Sequence, residues 1–179
     1  RPDPDPSSIR ARLTDRDQLW ADDWVAVFFD TFNDGLRDYG FVCNPLGVQA
    51  DMVETSDSHE GNDWDAIWDS AGRITAEGYV VEMSIPFGSL SFQRSEGDQT
   101  WGLDAVRDMP RSVRHHIGVF PRDRANNCYM CQAIKIAGFA GAKPGATEPE
   151  TAAITAGERR ARRPRRARRR GGCSPRRRC

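Results

Sequence analysis

The sequence predicts an all-β protein, an antiparallel β-sandwich with a jelly-roll-like arrangement of strands. Short segments rich in β-branched and aromatic residues recur every ~10–15 residues, separated by turns that contain Gly, Pro, Asn or Asp. No long amphipathic helical pattern lies between them. With 179 residues, 38% of them hydrophobic and 29% charged, the chain is long enough for one domain with a tail. No apolar run approaches the ~20 residues that a membrane-spanning helix needs.

The first three predicted strands follow one another through tight turns. Residues 24–31 are dominated by Val, Phe and Trp, which favour a buried strand. Residues 33–35 (Asn-Asp-Gly) tolerate positive φ, and they predict a turn after which residues 39–43 return as an antiparallel partner. A second turn at residues 44–47 leads into the predicted strand at residues 48–54.

The later strands are also separated by polar or Gly-containing segments. Residues 55–63 are polar and predict a loop, followed by a strand at residues 64–70. Residues 78–86 are the clearest strand in the chain and end at a proline, and residues 101–107 predict another. We also expect closing strands at residues 115–120 and 132–136, helical turns near residues 15–19 and 87–90, and a loop at 138–145 that leaves the domain.

The net charge of +0 averages an acidic body and a basic tail. Residues 158–179 hold 12 of the 26 basic residues and one acid, so residues 1–157 hold 14 basic and 25 acidic residues. Because this tail can bury no apolar face, we expect residues 146–179 to be a disordered linker and tail. The tail is either a nucleic-acid-binding arm or a frameshift product. No aromatic residue lies among the arginines, which disfavours a nucleic-acid partner.

Catalytic motifs are sparse in this sequence. It contains no Gly-x-Ser-x-Gly, no phosphate-binding Gly-x-x-x-x-Gly-Lys and no His-Glu-x-x-His. His59 lies in a polar loop, and His115 and His116 point to opposite faces if they lie on a strand. A pair of carboxylates for glycoside cleavage remains an open alternative among the many acids, so the sequence leaves an enzymatic role undecided.

The cysteines leave several states open. Cys128 and Cys131 form a C-x-x-C motif that fits a structural disulfide, free thiols, half of a zinc site or a redox pair. A matching second pair for zinc is missing, and the helix-opening context of redox motifs is absent. We interpret Cys43 as a buried strand residue.

Acidic clusters suggest a structural calcium site. Asp22 and Asp23 precede the first strand, and Asp63 and Asp65 flank Trp64. Calcium takes carboxylate and carbonyl oxygens from loops at strand ends. We therefore name these four aspartates as candidate ligands, although no cofactor is required by the sequence.

The five tryptophans suggest a sugar-binding surface. Trp64 and Trp68 share one face if residues 64–70 form a strand, because side chains alternate along a strand. An indole ring suits the C–H face of a pyranose, and neighbouring polar side chains can bind its hydroxyl groups. The candidate carbohydrate-binding residues are Trp64, Trp68, Trp20, Asn44 and Arg107. Core packing is the alternative for any tryptophan, and we favour it for Trp24 and Trp101.

An ordered series of segments resembles the family 9 carbohydrate-binding module. It spans residues 2–145 and most resembles the variant at the N-terminus of bacterial envelope proteins that continue into an outer-membrane β-barrel. The segments are TDRD (14–17), DDWV (22–25), FDTFNDG (29–35), FVCNPLGVQAD (41–51), WDAIWDS (64–70), GYVVEMSIPF (78–87), LSF (90–92) and WGLD (101–104).

The resemblance implies a β-sandwich that binds a polysaccharide or oligosaccharide without cleaving it, often with calcium, and holds the sugar between tryptophan faces. Such modules are often attached to O-glycosyl hydrolases of carbohydrate catabolism. Members usually carry strands before the segment at residues 2–13, so we expect the domain at residues 1–145 to be incomplete at its N-terminus. The implied location is secreted, periplasmic or outer-membrane-associated. The alternatives are a structural periplasmic domain that packs on a barrel and binds no sugar, and a module of a glycoside hydrolase.

Overall fold

The computed structural model describes residues 5–55, 64–144 and 151–156 and is an antiparallel β-sandwich. Its helices in these ranges are 3-10 turns at Pro6–Ser8, Phe87–Ser89 and Met130–Gln132. None of the described helices has the length and apolarity to cross a membrane. The strands are β1 (Trp24–Asp30), β2 (Arg37–Cys43), β3 (Gln49–Thr55), β4 (Asp69–Thr75), β5 (Gly78–Pro86), β6 (Gln99–Pro110), β7 (Arg114–Gly118), β8 (Ile134–Gly138) and β9 (Thr151–Ala156).

Two antiparallel sheets contain these strands. The larger sheet has the order β3-β2-β1-β6-β7, and the smaller sheet has the order β4-β5-β9. Strand β6 is long enough to hold two partners on one edge, with β8 beside its first half and β7 beside its second half. The fold class predicted from the sequence is therefore confirmed.

The first hairpin forms as predicted. Asn33 and Gly35 have positive φ angles of 54° and 71°, and the Asp30 carboxylate accepts the backbone N–H groups of Asp34 and Gly35. The helical turn expected near residues 87–90 is the 3-10 helix Phe87–Ser89. The one expected near residues 15–19 is a single hydrogen-bonded turn. The closing strands are confirmed with shifted bounds, as β7 and β8.

The strand predicted at residues 64–70 is wrong for residues 64–68 and confirmed for the last two residues. Strand β4 begins at Asp69, and residues 64–68 cross the larger sheet in an irregular conformation. Their carbonyl groups bond to side chains rather than to a neighbouring strand, because the Ala66 carbonyl accepts from Arg16 and the Trp68 carbonyl accepts from Gln49. Local alternation of side chains could not reveal these partners, which lie far away in the sequence.

The prediction that residues 146–179 form a disordered linker and tail is wrong for one segment. Strand β9 pairs antiparallel with β5, placing Val81 opposite Ala156 and Pro86 opposite Thr151. The segment contains the β-branched residues Thr151, Ile154 and Thr155, which favour a strand, but the neighbouring arginine run obscured this signal. The arginine-rich residues 157–179 lie outside the described residues.

The two faces of the larger sheet carry separate hydrophobic clusters. The inner face packs against the smaller sheet through a cluster that includes Phe29, Phe41, Trp101 and, from β5, Met83 and Ile85. The outer face is covered by residues 19–20 and by the segment from 120 to 133. Its cluster includes Leu19, Trp24, Phe28, Val42, Met52, Val106, Met130 and Ala133. The candidate site described below lies on this outer face.

Candidate functional site

Trp68, a candidate sugar ligand, lies in the protein core. Its side chain is 4% exposed, and its ring centroid lies 5.3 Å from that of Phe41. Its indole N–H donates to Asp51 Oδ2 at 2.8 Å. This placement leaves no open indole face for a ligand, in contrast to the solvated position that a strand at residues 64–70 implied.

Trp64 is half-buried at the rim of the same cluster. Its ring centroid lies 5.1 Å from that of Tyr39 and 5.7 Å from that of Phe41. Trp64 and Trp68 thus both pack against the Phe41 ring, so they share a face as predicted. Phe41 belongs to the inner cluster, however, and this shared face is therefore not a solvated one. Trp64 retains only part of its surface for contact with a ligand.

Asn44 and Arg107, also candidate sugar ligands, have intramolecular roles. Asn44 is fully buried: its Oδ1 accepts the backbone N–H groups of Leu46 and Val48, and its Nδ2 donates to Asp22 Oδ2. It therefore shapes the β2–β3 turn. Arg107 is half-buried, with its guanidinium carbon 5.0 Å from the centroid of the Tyr79 ring.

The pair expected to bind calcium is occupied by other protein groups. Asp22 accepts from the Arg12 backbone N–H at 3.0 Å and from Arg12 Nε at 2.9 Å. Asp23 accepts hydrogen bonds from both terminal nitrogens of Arg111, at 2.7 and 2.9 Å. Both aspartates are fully buried, and these partners use the oxygens that a hard cation would need.

The other two expected calcium ligands add no cation site. Asp65 is exposed and forms an ion pair with Arg16 at 3.3 Å, and Asp63 lies outside the described residues. Within the ranges that the structure describes, no group of three or more His, Cys, Asp or Glu side chains could hold a metal ion. The described residues therefore do not fit the calcium that the resemblance implied.

Arg16 is a structural residue that the sequence did not reveal. It donates to Gln49 Oε1 at 2.6 Å, to the Ala66 carbonyl at 2.9 Å and to Asp51 Oδ2. Burial raises the pKa of Asp51, while the Trp68 N–H and the Arg16 charge act in the opposite direction. Arg16 thus fastens the irregular segment at residues 64–68 to β3. Only the tertiary structure brings it to Asp51.

The C-x-x-C motif is a disulfide, which resolves the alternatives that its spacing left open. Cys128 and Cys131 are bonded to each other and pack closely on Gly35, where the Cβ of any larger residue would lie 2.6 Å from Cys131 Sγ. Gln132 fastens the same segment by accepting from the Asp123 N–H and donating to the Cys128 carbonyl. Cys43 is a buried free thiol as expected, and burial raises its pKa to about 11.

A group of aromatic and charged residues, some buried and some exposed, lies on the outer face of the larger sheet. Trp24, Asp108 and His116 form one row across β1, β6 and β7, because Asp108 pairs with both of the others. The Trp24 ring contacts His116 and Trp20 edge-on, with both centroid distances at 6.0 Å. Trp20 is half-buried, unlike Trp24. We call Trp20, Trp24, Asp108, Arg114 and His116 the outer-face patch.

Charged groups hold the outer-face patch in place. Arg114 NH2 donates to the Trp20 carbonyl at 2.9 Å, and its NH1 lies 3.1 Å from Asp108 Oδ1. His116 Nδ1 lies 3.4 Å from Asp108 Oδ2. The Asp108 side chain is 1% exposed, whereas those of Arg114 and His116 are 51% and 58% exposed. A buried carboxylate therefore positions two nitrogen-rich side chains at the surface beside an indole.

The same outer face carries a second aromatic group farther along β6. Phe120 and Tyr129 lie 5.9 Å apart, and the Arg122 guanidinium lies 4.6 Å above the Tyr129 ring. The Tyr129 hydroxyl donates to Asp104 Oδ2, and burial, together with this contact, raises the pKa of Tyr129. The hydroxyl is therefore neutral and fixed at physiological pH.

Comparison with known proteins agrees with this fold. Residues 5–117 match the family described as carbohydrate family 9 binding domain-like. The chain belongs to this family. Membership supports carbohydrate binding as the general function, with a carbohydrate as the partner. No curated protein and no solved structure matched the chain.

Proposed function

We propose that the protein is a non-catalytic carbohydrate-binding module that holds its glycan on the outer-face patch. One observation carries the proposal: Asp108 holds the exposed side chains of Arg114 and His116, Arg114 donates to the carbonyl of half-buried Trp20, and His116 contacts Trp24, whose ring packs on Trp20. An aromatic surface with a few well-placed polar groups is the usual composition of a small-molecule site.

Each component of the patch has a role in this proposal. The Trp20 indole offers apolar surface to the C–H groups of a pyranose. Arg114 and His116 offer N–H donors to hydroxyl oxygens, and the shared contact with Asp108 reduces the side-chain entropy that binding would otherwise remove. The buried Trp24 ring contacts the Trp20 ring edge-on and so helps to hold it in place.

We further propose that this module belongs to a larger secreted or cell-envelope protein linked to carbohydrate catabolism. The resemblance to modules that precede an outer-membrane barrel supports this setting. The Cys128–Cys131 disulfide also supports it, because disulfides persist in oxidising compartments such as the periplasm. The barrel or a hydrolase would then lie elsewhere in the larger protein. Reducing-sugar assays on this chain should show no release from the polysaccharides that it binds.

Affinity electrophoresis tests the proposal directly. The oxidised protein is run through gels that contain a soluble β-glucan, a xylan or polygalacturonate, and at least one polymer should retard it. Trp20→Ala should abolish this retardation, because it removes the accessible indole. Trp64→Ala is the matched control on the inner face and should leave it unchanged.

The opposite pattern would contradict the proposed location. If Trp64→Ala abolished retardation and Trp20→Ala did not, the site would lie at the rim of the inner cluster. If no polymer retarded the unmodified protein, the proposal that it binds carbohydrate would itself be contradicted.

A structural domain without sugar binding is the second candidate function. The burial of Trp68 and Asn44 favours it, because two of the residues first considered as sugar ligands serve the fold instead. In that case the protein should fold stably and yet show no retardation in any of the three gels.

A further inference from the structure

The basic residues of the folded body are concentrated in one segment. Residues 111–124 contain four arginines, two histidines and a single acid, Asp123. The rest of residues 1–157 contains 10 basic and 24 acidic residues. This segment includes β7 and continues into the cover of the outer face, so the concentration of positive charge coincides with the outer-face patch.

Burial separates the charges that a ligand can contact from those it cannot. Asp108 in the patch, Asp104 on the same strand and Asp23, which pairs with Arg111, are all 2% exposed or less. Arg114 and His116 project to the surface, and Arg122 and Arg124 are also exposed. A molecule lying on this face therefore meets the guanidinium groups of Arg114, Arg122 and Arg124 and the His116 ring, with Asp123 as an exposed acid in the same segment.

The basic side chains follow the direction of β6. Arg114 pairs with Asp108, and Tyr129, which carries Arg122 on its ring, bonds to Asp104. Asp104 and Asp108 are four residues apart on one strand, which is a distance of ~13 Å. Aromatic rings and cations thus occur at both ends of a strip long enough for several sugar units.

We propose that the outer-face patch and its extension to Arg122 and Arg124 bind a polysaccharide whose sugars carry carboxylate groups, as uronic acids do. The inference rests on the proposed function and specifies its ligand class. An arginine can bind a carboxylate through two parallel N–H groups, and aromatic rings contact the sugar faces. Neutral glycans would use only part of this strip.

Polygalacturonate and its fully methyl-esterified form test the proposal on the unmodified, oxidised chain. The two polymers share a backbone, and esterification replaces each carboxylate with a neutral methyl ester. We expect polygalacturonate to bind at least tenfold more tightly at low salt, with a difference that shrinks as salt is added. Poly-L-glutamate, a carboxylated polymer without sugars, should bind at least tenfold more weakly than polygalacturonate.

Two pairs of variants localise the effect. Arg122→Gln combined with Arg124→Gln should weaken polygalacturonate binding at least fivefold and weaken binding of the methyl ester less than twofold. Arg73→Gln combined with Arg94→Gln removes the same charge from exposed positions outside the strip and should change neither.

The failures of the two proposals are distinguishable. Equal affinity for the acid and ester polymers would overturn the ligand class while leaving carbohydrate binding intact. Equal affinity for poly-L-glutamate would also overturn it, by showing a general polyanion surface. Binding to none of the sugar polymers, neutral or acidic, would remove both the ligand class and the proposed function.

Discussion

Asp38→Asn should stabilise the protein at neutral pH and remove a pH dependence of its stability. Asp38 lies on the outer face of the larger sheet, directly opposite Glu54 on β3, and its Oδ1 is buried with no hydrogen-bond partner among the described residues. Burial, and then the charges of Glu54, Asp30 and Asp104, raise its pKa from 3.8 to about 8. Asn has the same shape as Asp and carries no charge at any pH.

The size of the effect follows from proton linkage. Folded Asp38 keeps its proton up to about pH 8, whereas the unfolded chain releases it above pH 3.8. Protonated Asp38 therefore makes its full contribution to stability below pH 3.8. Between pH 3.8 and about pH 8 this contribution is lost, and the folding equilibrium constant falls by a factor of about 10 for each pH unit. At pH 7 the difference from Asp38→Asn is on the order of 4 kcal/mol.

Urea unfolding of both proteins between pH 4.5 and pH 9 measures this difference. The two free energies of unfolding should diverge up to about pH 8 and run parallel above it. Glu54→Gln should move the end of the divergence to lower pH, because it removes the largest charge effect on Asp38. Asp69→Asn, at an exposed position on β4, is the control and should follow the unmodified protein. Parallel curves for Asp38→Asn across the whole range would refute the reasoning.

Two further predictions concern stability. Replacing Cys128 and Cys131 with Ser should lower the free energy of unfolding by about 2 kcal/mol, the loop-entropy value for so short a loop. Dithiothreitol should destabilise the unmodified protein equally and leave the variant unaffected, and an unchanged urea midpoint would contradict this. Gly72→Ala should cost about 1–3 kcal/mol, because a Cβ there lies 2.5 Å from the Pro45 carbonyl oxygen. Gly97→Ala is the control, because its methyl group has room. If urea unfolding showed the same loss of stability for Gly72→Ala and Gly97→Ala, the prediction would be contradicted.

Much of the fold could be predicted because its strands form by local pattern. β1, β2, β5 and β6 have clear patterns of β-branched and aromatic residues, and their turns contain residues that accept positive φ. The segment at residues 64–68 could not be predicted in the same way. Its alternating tryptophans satisfy a strand pattern, yet its conformation depends on Arg16, Gln49 and Asp51, which are distant in the sequence.

The candidate site was harder to predict than the fold. Trp20 is a candidate on sequence grounds, but nothing in its neighbourhood indicates that Arg114, more than 90 positions later, bonds to its carbonyl, or that His116 contacts the nearby Trp24. That placement depends on β7 pairing with the second half of β6. One available signal was the change from an acidic body to a basic segment at residues 111–124, which the neutral net charge concealed.

Nuclear magnetic resonance of the indole N–H groups tests the central claim most directly, because the five tryptophans report on both faces of the larger sheet. The labelled protein is titrated with cellotriose, xylotriose and trigalacturonate, and the Trp20 signal is assigned from Trp20→Phe. We predict that a binding oligosaccharide shifts the signals of Trp20 and its neighbour Trp24, while those of Trp64, Trp68 and Trp101 stay in place. A shift confined to Trp64, with Trp20 unmoved, would contradict a glycan site on the outer face.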